Sequence, residues 1–245
     1  MGVPLEHKLR TDLDVTIAGI HERFGPDVLY KLEKPDSADI PHLSTGFPGL
    51  DKALGIGGIP RGHITELVGM PTSGMRTLAL KVIASAHAVG DMAAYIDLSR
   101  TFDADYAVRC GVDISNLLLV RPVTLNEAVD MAYSFIANRS LGVLVWDLPT
   151  GQSNILSLAK LLSPLAQSAC ACICLSCAWD APQNTKLAQQ AVLRLRITRQ
   201  AWLKRRRAVR GYRTQVAILK NKFSPLRREV SVTIGFSGAV AGDGA

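Results

Sequence analysis

Long apolar runs, paired cysteines and, over one long stretch, acidic residues are what this sequence lacks. None of its 245 residues falls in an uninterrupted apolar run of the ~18 that a membrane helix needs. Met1 to Arg10 is charged and carries no apolar h-region, so neither a signal peptide nor a membrane partner is expected. The expected location is cytoplasmic. Cysteines number five, an odd count that argues against a disulfide framework. Four of them are Cys170, Cys172, Cys174 and Cys177, and the C-x-x-C of the last pair raises the question of a metal. The run Ala169 to Leu175 is small and apolar throughout, which suits a buried strand of a parallel sheet. On a strand, Cys170, Cys172 and Cys174 share a face but lie too far apart to close a tetrahedral site. Core packing, and no metal, is the expectation.

Acidic residues are distributed unevenly. Residues 1–180 hold 14 Lys and Arg against 19 Asp and Glu, while residues 181–228 hold the other 14 Lys and Arg and no acid. The overall charge of +7 therefore comes from one segment. Such segregation points to a polyanionic partner, with a solvated helix or hairpin as the plain alternative. Within it, Arg199, Lys204, Arg205, Arg206, Arg207, Arg210 and Arg213 surround Trp202 and Tyr212. Cationic side chains neutralise phosphates and aromatic rings stack on unpaired bases, so these nine are candidates for single-stranded DNA or for an acidic partner protein. Trp202 suits a core position equally well.

Periodicity divides the chain into an appendage, a core and a tail. Leu13, Ile17, Ile20 and Phe24 recur at helical spacing over residues 12–24, and Gly25-Pro26 ends that helix. An extended piece, Val28 to Leu32, and a polar linker complete a segment of residues 1–42. In residues 43–238, strands at 64–68, 93–97, 117–121, 143–147 and 170–176 alternate with helices at 77–89, 102–110, 125–138 and 155–168. Strands at 191–197, 214–219 and 230–236 come after them. This order predicts an α/β fold: a mostly parallel, doubly wound sheet extended by antiparallel strands at its C-terminal side. Residues 239–245 are expected to be a disordered tail.

Strand, glycine turn and helix are the context of a phosphate-binding loop. Here the turn reads Gly69-Met70-Pro71-Thr72-Ser73-Gly74-Met75-Arg76-Thr77. The pattern G-x-x-x-x-G-K-[ST] fits at Gly69 and Gly74 and then fails twice. Met75 stands where lysine reaches the outer phosphates, and Arg76 where a hydroxyl holds magnesium. Backbone N–H groups can still attract a phosphate, but the groups that stabilise transition-state charge are gone. Arg76 is turned about 100° from the lost lysine's direction. Residual ATP binding stays open; hydrolysis is not expected. Asp147 ends an apolar strand as a metal-holding carboxylate would.

Several blocks together resemble the RecA family: Leu43 to Gly46, Leu50-Asp51, Ala53 to Gly55, Gly57 to Gly62, Tyr95 to Asp97, Phe102-Asp103, Tyr106-Ala107, Gly111 to Asp113 with Asn116 to Leu118, and Lys220 to Lys222. The resemblance covers residues 14–238 and implies a RecA-like core with an oligomerisation appendage. It implies that Asp103 and Tyr106 frame an adenine, and that Lys220 and Lys222 reach towards a neighbouring protomer's nucleotide. It further implies that Ile17, Ile20, Phe24 and Leu29 dock on the next protomer, though packing on the chain's own core is the alternative for that helix. Ser99 replaces the family's catalytic glutamate and Cys177 its phosphate-sensing glutamine. The connections that carry DNA-binding loops in RecA are short. With its failed loop, the chain resembles ImuA-type accessory proteins of translesion synthesis and the SOS response. The implied role is a non-hydrolysing DNA-repair protein without a resident cofactor. It would join RecA-like protomers, single-stranded DNA or a translesion polymerase subunit, alone or as a homo-oligomer. A divergent ATP-dependent recombinase and a protein that caps RecA filaments through residues 12–32 are the alternatives.

Overall fold

The computed structural model describes residues 5–25, 40–149, 158–178, 185–205, 208–224, 229–236 and 240–241. The chain divides into two compact units, Met1–Asp36 and Ser37–Ala245. In the first, helix α1 spans Leu5–Phe24, starting seven residues before the sequence-based expectation and stopping at Gly25 as expected. Its apolar stripe is open: Leu13 and Phe24 are exposed, Ile17 and Ile20 half-buried.

In the second unit, β1 (His42–Leu43) and β2 (Ile59–Pro60) form a small antiparallel pair flanking α2 (Pro48–Leu54). The main elements are β3 (Ile64–Gly69), α3 (Met75–Ala88), β4 (Ala93–Asp97), α4 (Ala104–Arg109), β5 (Leu117–Val120), α5 (Leu125–Ala137) and β6 (Val143–Asp147). After these come α6 (Ala159–Ala166), β7 (Ala171–Cys177), α7 (Lys186–Gln190), β8 (Leu193–Arg205), β9 (Ala208–Asn221), β10 (Glu229–Gly235) and β11 (Val240–Ala241). Among the described residues they build a nine-stranded sheet in the order β11-β10-β9-β8-β3-β7-β6-β4-β5. Strands β8, β3, β7, β6, β4 and β5 run parallel, and β9, β10 and β11 extend the sheet antiparallel. The expected α/β architecture is present.

The central strands of the parallel sheet are covered on both faces, so β6 is apolar from Val143 to Trp146 and β7 from Ala171 to Leu175. In β6, Val143 and Val145 enter one core, with α3, while Leu144 and Trp146 enter the other, with α5 and α6. The cysteines obey the same alternation: Cys170, Cys172 and Cys174 are buried in the second core as small apolar side chains. Burial raises the thiol pKa of Cys170, and a hydrogen bond with Cys174, followed by burial, raises that of Cys172, as expected of inert core thiols.

The largest departure from the sequence reading is the hairpin of β8 and β9. Sequence patterning makes residues 198–213 a connection between two strands. Instead the strands run on as one ribbon, with Trp202 paired to Tyr212 and irregular register at Arg194/Leu195, Arg199/Ala201 and Leu203/Lys204. Charge hides it, since alternation is invisible when the exposed positions are arginines and the buried ones few. Cross-strand aromatic contacts supply the support that β-propensity does not.

Among the described residues, one ion pair lies inside the sheet. Arg194 Nε on β8 donates to Glu66 Oε2 on β3, and the two side chains are 3% and 2% exposed. Removing one partner takes the opposite charge away from a buried ion, so Glu66→Leu is expected to cost about 3–5 kcal/mol. The double variant Glu66→Leu/Arg194→Met should recover most of that loss, and urea midpoints of the three proteins would measure it. A double variant no more stable than the single would refute the pairing.

Candidate functional site

The phosphate-loop turn is built where β3 ends and α3 begins, and neighbouring strands dictate its glycines. A Cβ on Gly69 would lie 2.5 Å from the carbonyl oxygen of Ile197 on β8. Gly74 has a φ of +112°, and a Cβ there would lie 2.9 Å from Ile234 Cδ1 on β10. Side chains of the hairpin tie the turn down. Thr214 Oγ1 sits 2.7 Å from the Ser73 carbonyl and 2.9 Å from that of Thr198. Arg199 Nη1 donates to Thr72 Oγ1 at 2.7 Å and to the Thr72 carbonyl at 3.3 Å. In the first turn of α3, Thr77 Oγ1 lies 2.8 Å from the hydroxyl of Tyr106.

The two residues that break the motif take different paths. Met75 is 6% exposed and packs into the core beneath the sheet. Arg76 crosses to Asp147 at the end of β6: its Nε donates to Oδ2 at 2.8 Å and its Nη2 to Oδ1 at 3.3 Å. Asp147 is 4% exposed by side chain, Arg76 36%. The same Oδ2 accepts from the hydroxyls of Tyr95 at 3.0 Å, Ser99 at 2.9 Å and Thr101 at 3.2 Å. Burial pulls the Arg76 pKa down, but the hydrogen bond and charge of Asp147 outweigh it and hold the guanidinium above its ordinary value. Tyr95 is pushed well above the ordinary phenol range, first by burial and then by the charge of Asp147. The carboxylate at the metal-holding position is thus already paired with a cation of the chain. The magnesium–nucleotide that the resemblance implies does not fit this donor set, which lacks the lysine, the anchoring hydroxyl and an open carboxylate.

Above the turn lies a cleft of about 400 Å³ whose walls include Met70, Arg76, Tyr106, Trp202, Tyr212 and Phe236. Asp103 stands at its rim and caps α4, accepting from the backbone N–H of Tyr106 at 2.9 Å. Burial, partly opposed by the contact with Thr77, pushes the Tyr106 phenol up to about 12. Trp202, Tyr212 and Phe236 stand 5.9–6.3 Å apart by ring centroids, an aromatic cluster at the foot of the ribbon. The Arg199 guanidinium lies 4.2 Å from the Trp202 ring centroid, within cation–π range. On the other side of the turn a hollow of about 530 Å³ is lined by Arg196, Arg199 and Gln215 among others.

The candidates from the sequence fall into three groups. Gly69, Gly74, Met75, Arg76, Thr77, Asp103, Tyr106 and Asp147 do converge around one turn. Trp202, at 47% exposure, lies on the ribbon with exposed Arg199, Lys204, Arg210 and Arg213. Tyr212 is buried and faces the cleft. Arg205 ends β8, while Arg206, Arg207 and Leu29 lie outside the described residues. Lys220 is half-buried, its Nζ donating to the carbonyls of Ala188 and Gln189, both at 3.0 Å, at the C-terminal end of α7. Burial and then the charge of Lys222 lower its pKa. Sequence reasoning missed Tyr95, Thr101 and Phe236, because nothing in their local spacing announces a site. The opposite charges of Arg76 and Asp147 at two motif positions were a usable signal.

Comparison with known proteins gives the family. The RecA N-terminal domain family matches residues 11–151. The chain is 32% identical to the RecA protein of Sinorhizobium medicae (95% of this chain, 73% of the relative). It is 30% identical to that of Cytophaga hutchinsonii (97% and 76%). The RadB recombinase crystal structure superposes with a TM-score of 0.64 at 20% identity, over 80% of this chain and 97% of that one, and so shares the fold. Matched by that family model over more than half of its length and by these RecA proteins over nearly all of it, the chain belongs to the RecA family.

Proposed function

We propose that this protein is a RecA-family binding protein that does not hydrolyse ATP and that serves DNA damage tolerance as an accessory factor. The observation that carries the reading is Met75, an uncharged side chain packed in the core where the outer phosphates need a lysine. Catalysis of phosphoryl transfer is almost wholly positioning and charge stabilisation. A site without the lysine, with Ser99 in place of the family's glutamate, and with its carboxylate already paired has little left to offer it.

The working surface is the ribbon, in this reading. Exposed Lys204, Arg210 and Arg213 track a phosphate backbone, and Trp202, half open beside Arg199, offers a stacking platform. Single-stranded DNA is the ligand this arrangement fits, without sequence preference. The open stripe of α1, with Ile17, Ile20 and Phe24, docks on a RecA-type protomer, and a translesion polymerase subunit is the further partner of such a complex. The rival reading, a divergent ATP-dependent recombinase, draws its support from the names of the relatives.

Turnover of Mg-ATP, with and without single-stranded DNA, separates the two readings. No turnover in either condition is expected; DNA-stimulated turnover would replace the accessory reading with the recombinase. For the ribbon, Lys204→Ala/Arg210→Ala/Arg213→Ala should weaken single-strand binding and reduce the slope of log K against log salt by about 2. An unchanged slope would take the ribbon out of the DNA site and leave an acidic protein surface as its partner.

A further inference from the structure

We infer that Arg76 is a resident cation: its guanidinium holds, on Asp147, the place of the divalent metal, so that this corner of the protein is complete without metal or nucleotide. This role for Arg76 rests on the non-hydrolysing reading and deepens it, since it accounts for the metal's replacement and for the loss of nucleotide control.

Both motif positions still converge. Position 76 should present a short hydroxyl towards a metal, and Asp147 should reach the same ion from the end of β6. Here they meet each other instead. Two nitrogens of Arg76 meet two oxygens of Asp147, at 2.8 and 3.3 Å, a two-pronged pairing that fixes orientation as well as charge. Three hydroxyls complete the shell: Tyr95 from β4, and Ser99 and Thr101 from the segment after it, all 2.9–3.2 Å from Oδ2. The two neighbouring ionic groups are engaged elsewhere. Asp97 accepts from the Nε of Arg121 at 3.1 Å and from the backbone N–H of Thr101 at 2.9 Å, and Asp103 caps α4. A metal entering this corner would have to displace a tethered cation and break its two hydrogen bonds. A tethered cation also never dissociates. The turn, the start of α3 and the segment 99–101 are therefore held in one arrangement whatever the nucleotide level, and binding to a partner through this protein carries no magnesium–nucleotide switch.

The test uses Mn²⁺ as the probe on the full chain. Wild type is expected to show the same melting temperature in EDTA and in millimolar MnCl₂, and no manganese binding by electron paramagnetic resonance that depends on Asp147. Arg76→Ser restores a hydroxyl and removes the cation. In EDTA its melting temperature should fall by about 5 °C, as a buried carboxylate loses its partner. Millimolar MnCl₂ should restore at least half of that loss, and Arg76→Ser/Asp147→Asn should show no such recovery. Manganese binding to wild type that disappears in Asp147→Asn would overturn the proposal, and so would an Arg76→Ser protein indifferent to manganese. Should Arg76→Ser not fold, the wild-type and Asp147→Asn measurements decide alone. Mg-ATP turnover is scored separately: turnover removes the non-hydrolysing reading, whereas Asp147-dependent manganese binding without turnover removes only the resident cation.

Discussion

A carboxylate withdrawn from water needs a positive charge beside it, because desolvation of an ion costs several kcal/mol even after relaxation. Asp147 is in that position at the end of β6, and much of the site's arrangement stems from how the need is met. The guanidinium that meets it comes from the second residue of α3, so the helix can begin only where Arg76 reaches across the carboxyl edge of the sheet. The same oxygen collects hydroxyls from β4 and the segment behind it. Three pieces of chain, the start of α3, β4 and the segment after it, are pinned to one side-chain atom. Coupling of this kind holds a turn in place without a ligand, and it explains how the frame of a phosphate site survives around a sequence that departs from it.

The second anchor is the ribbon. Its root is tied to the turn by Thr214 and Arg199, and its aromatic cluster closes one wall of the cleft. Its outer part is basic and open. Charge is thereby uneven in space as it is in sequence, since the acid-free segment supplies the ribbon. Steering of a polyanion to such a surface requires no change in the cleft.

The parallel part of the fold was legible because two-sided burial writes itself into a sequence as unbroken apolar runs, and Val143 to Trp146 or Ala171 to Leu175 admit no other reading once their lengths are considered. The glycines and Asp147 marked the site for the same reason: a turn and a strand end are local events. What stayed hidden is long-range. Short α2 and α7 lack the length for a periodic signal. The ribbon's exposed arginines mask its alternation, and its stabilising partner, Phe236, lies on the far side of another strand. The pairing of Arg76 with Asp147 joins residues 71 positions apart. Spacing along the chain showed each of them, but only the sheet order brings them together.

The glycines of the turn have a meaning for how such proteins are recognised and how they change over evolutionary time. A side chain at Gly69 would collide with the backbone of β8, and one at Gly74 would need both a left-handed backbone and the space held by Ile234. Neither restriction refers to a phosphate. Mutational drift that abandons the chemistry is still forbidden to touch these two positions, because selection for a foldable chain guards them by itself. Surviving glycines are thus a fossil of the architecture, and inheritance of the reaction must be judged from the side chains beside them, which sterics leave free to wander.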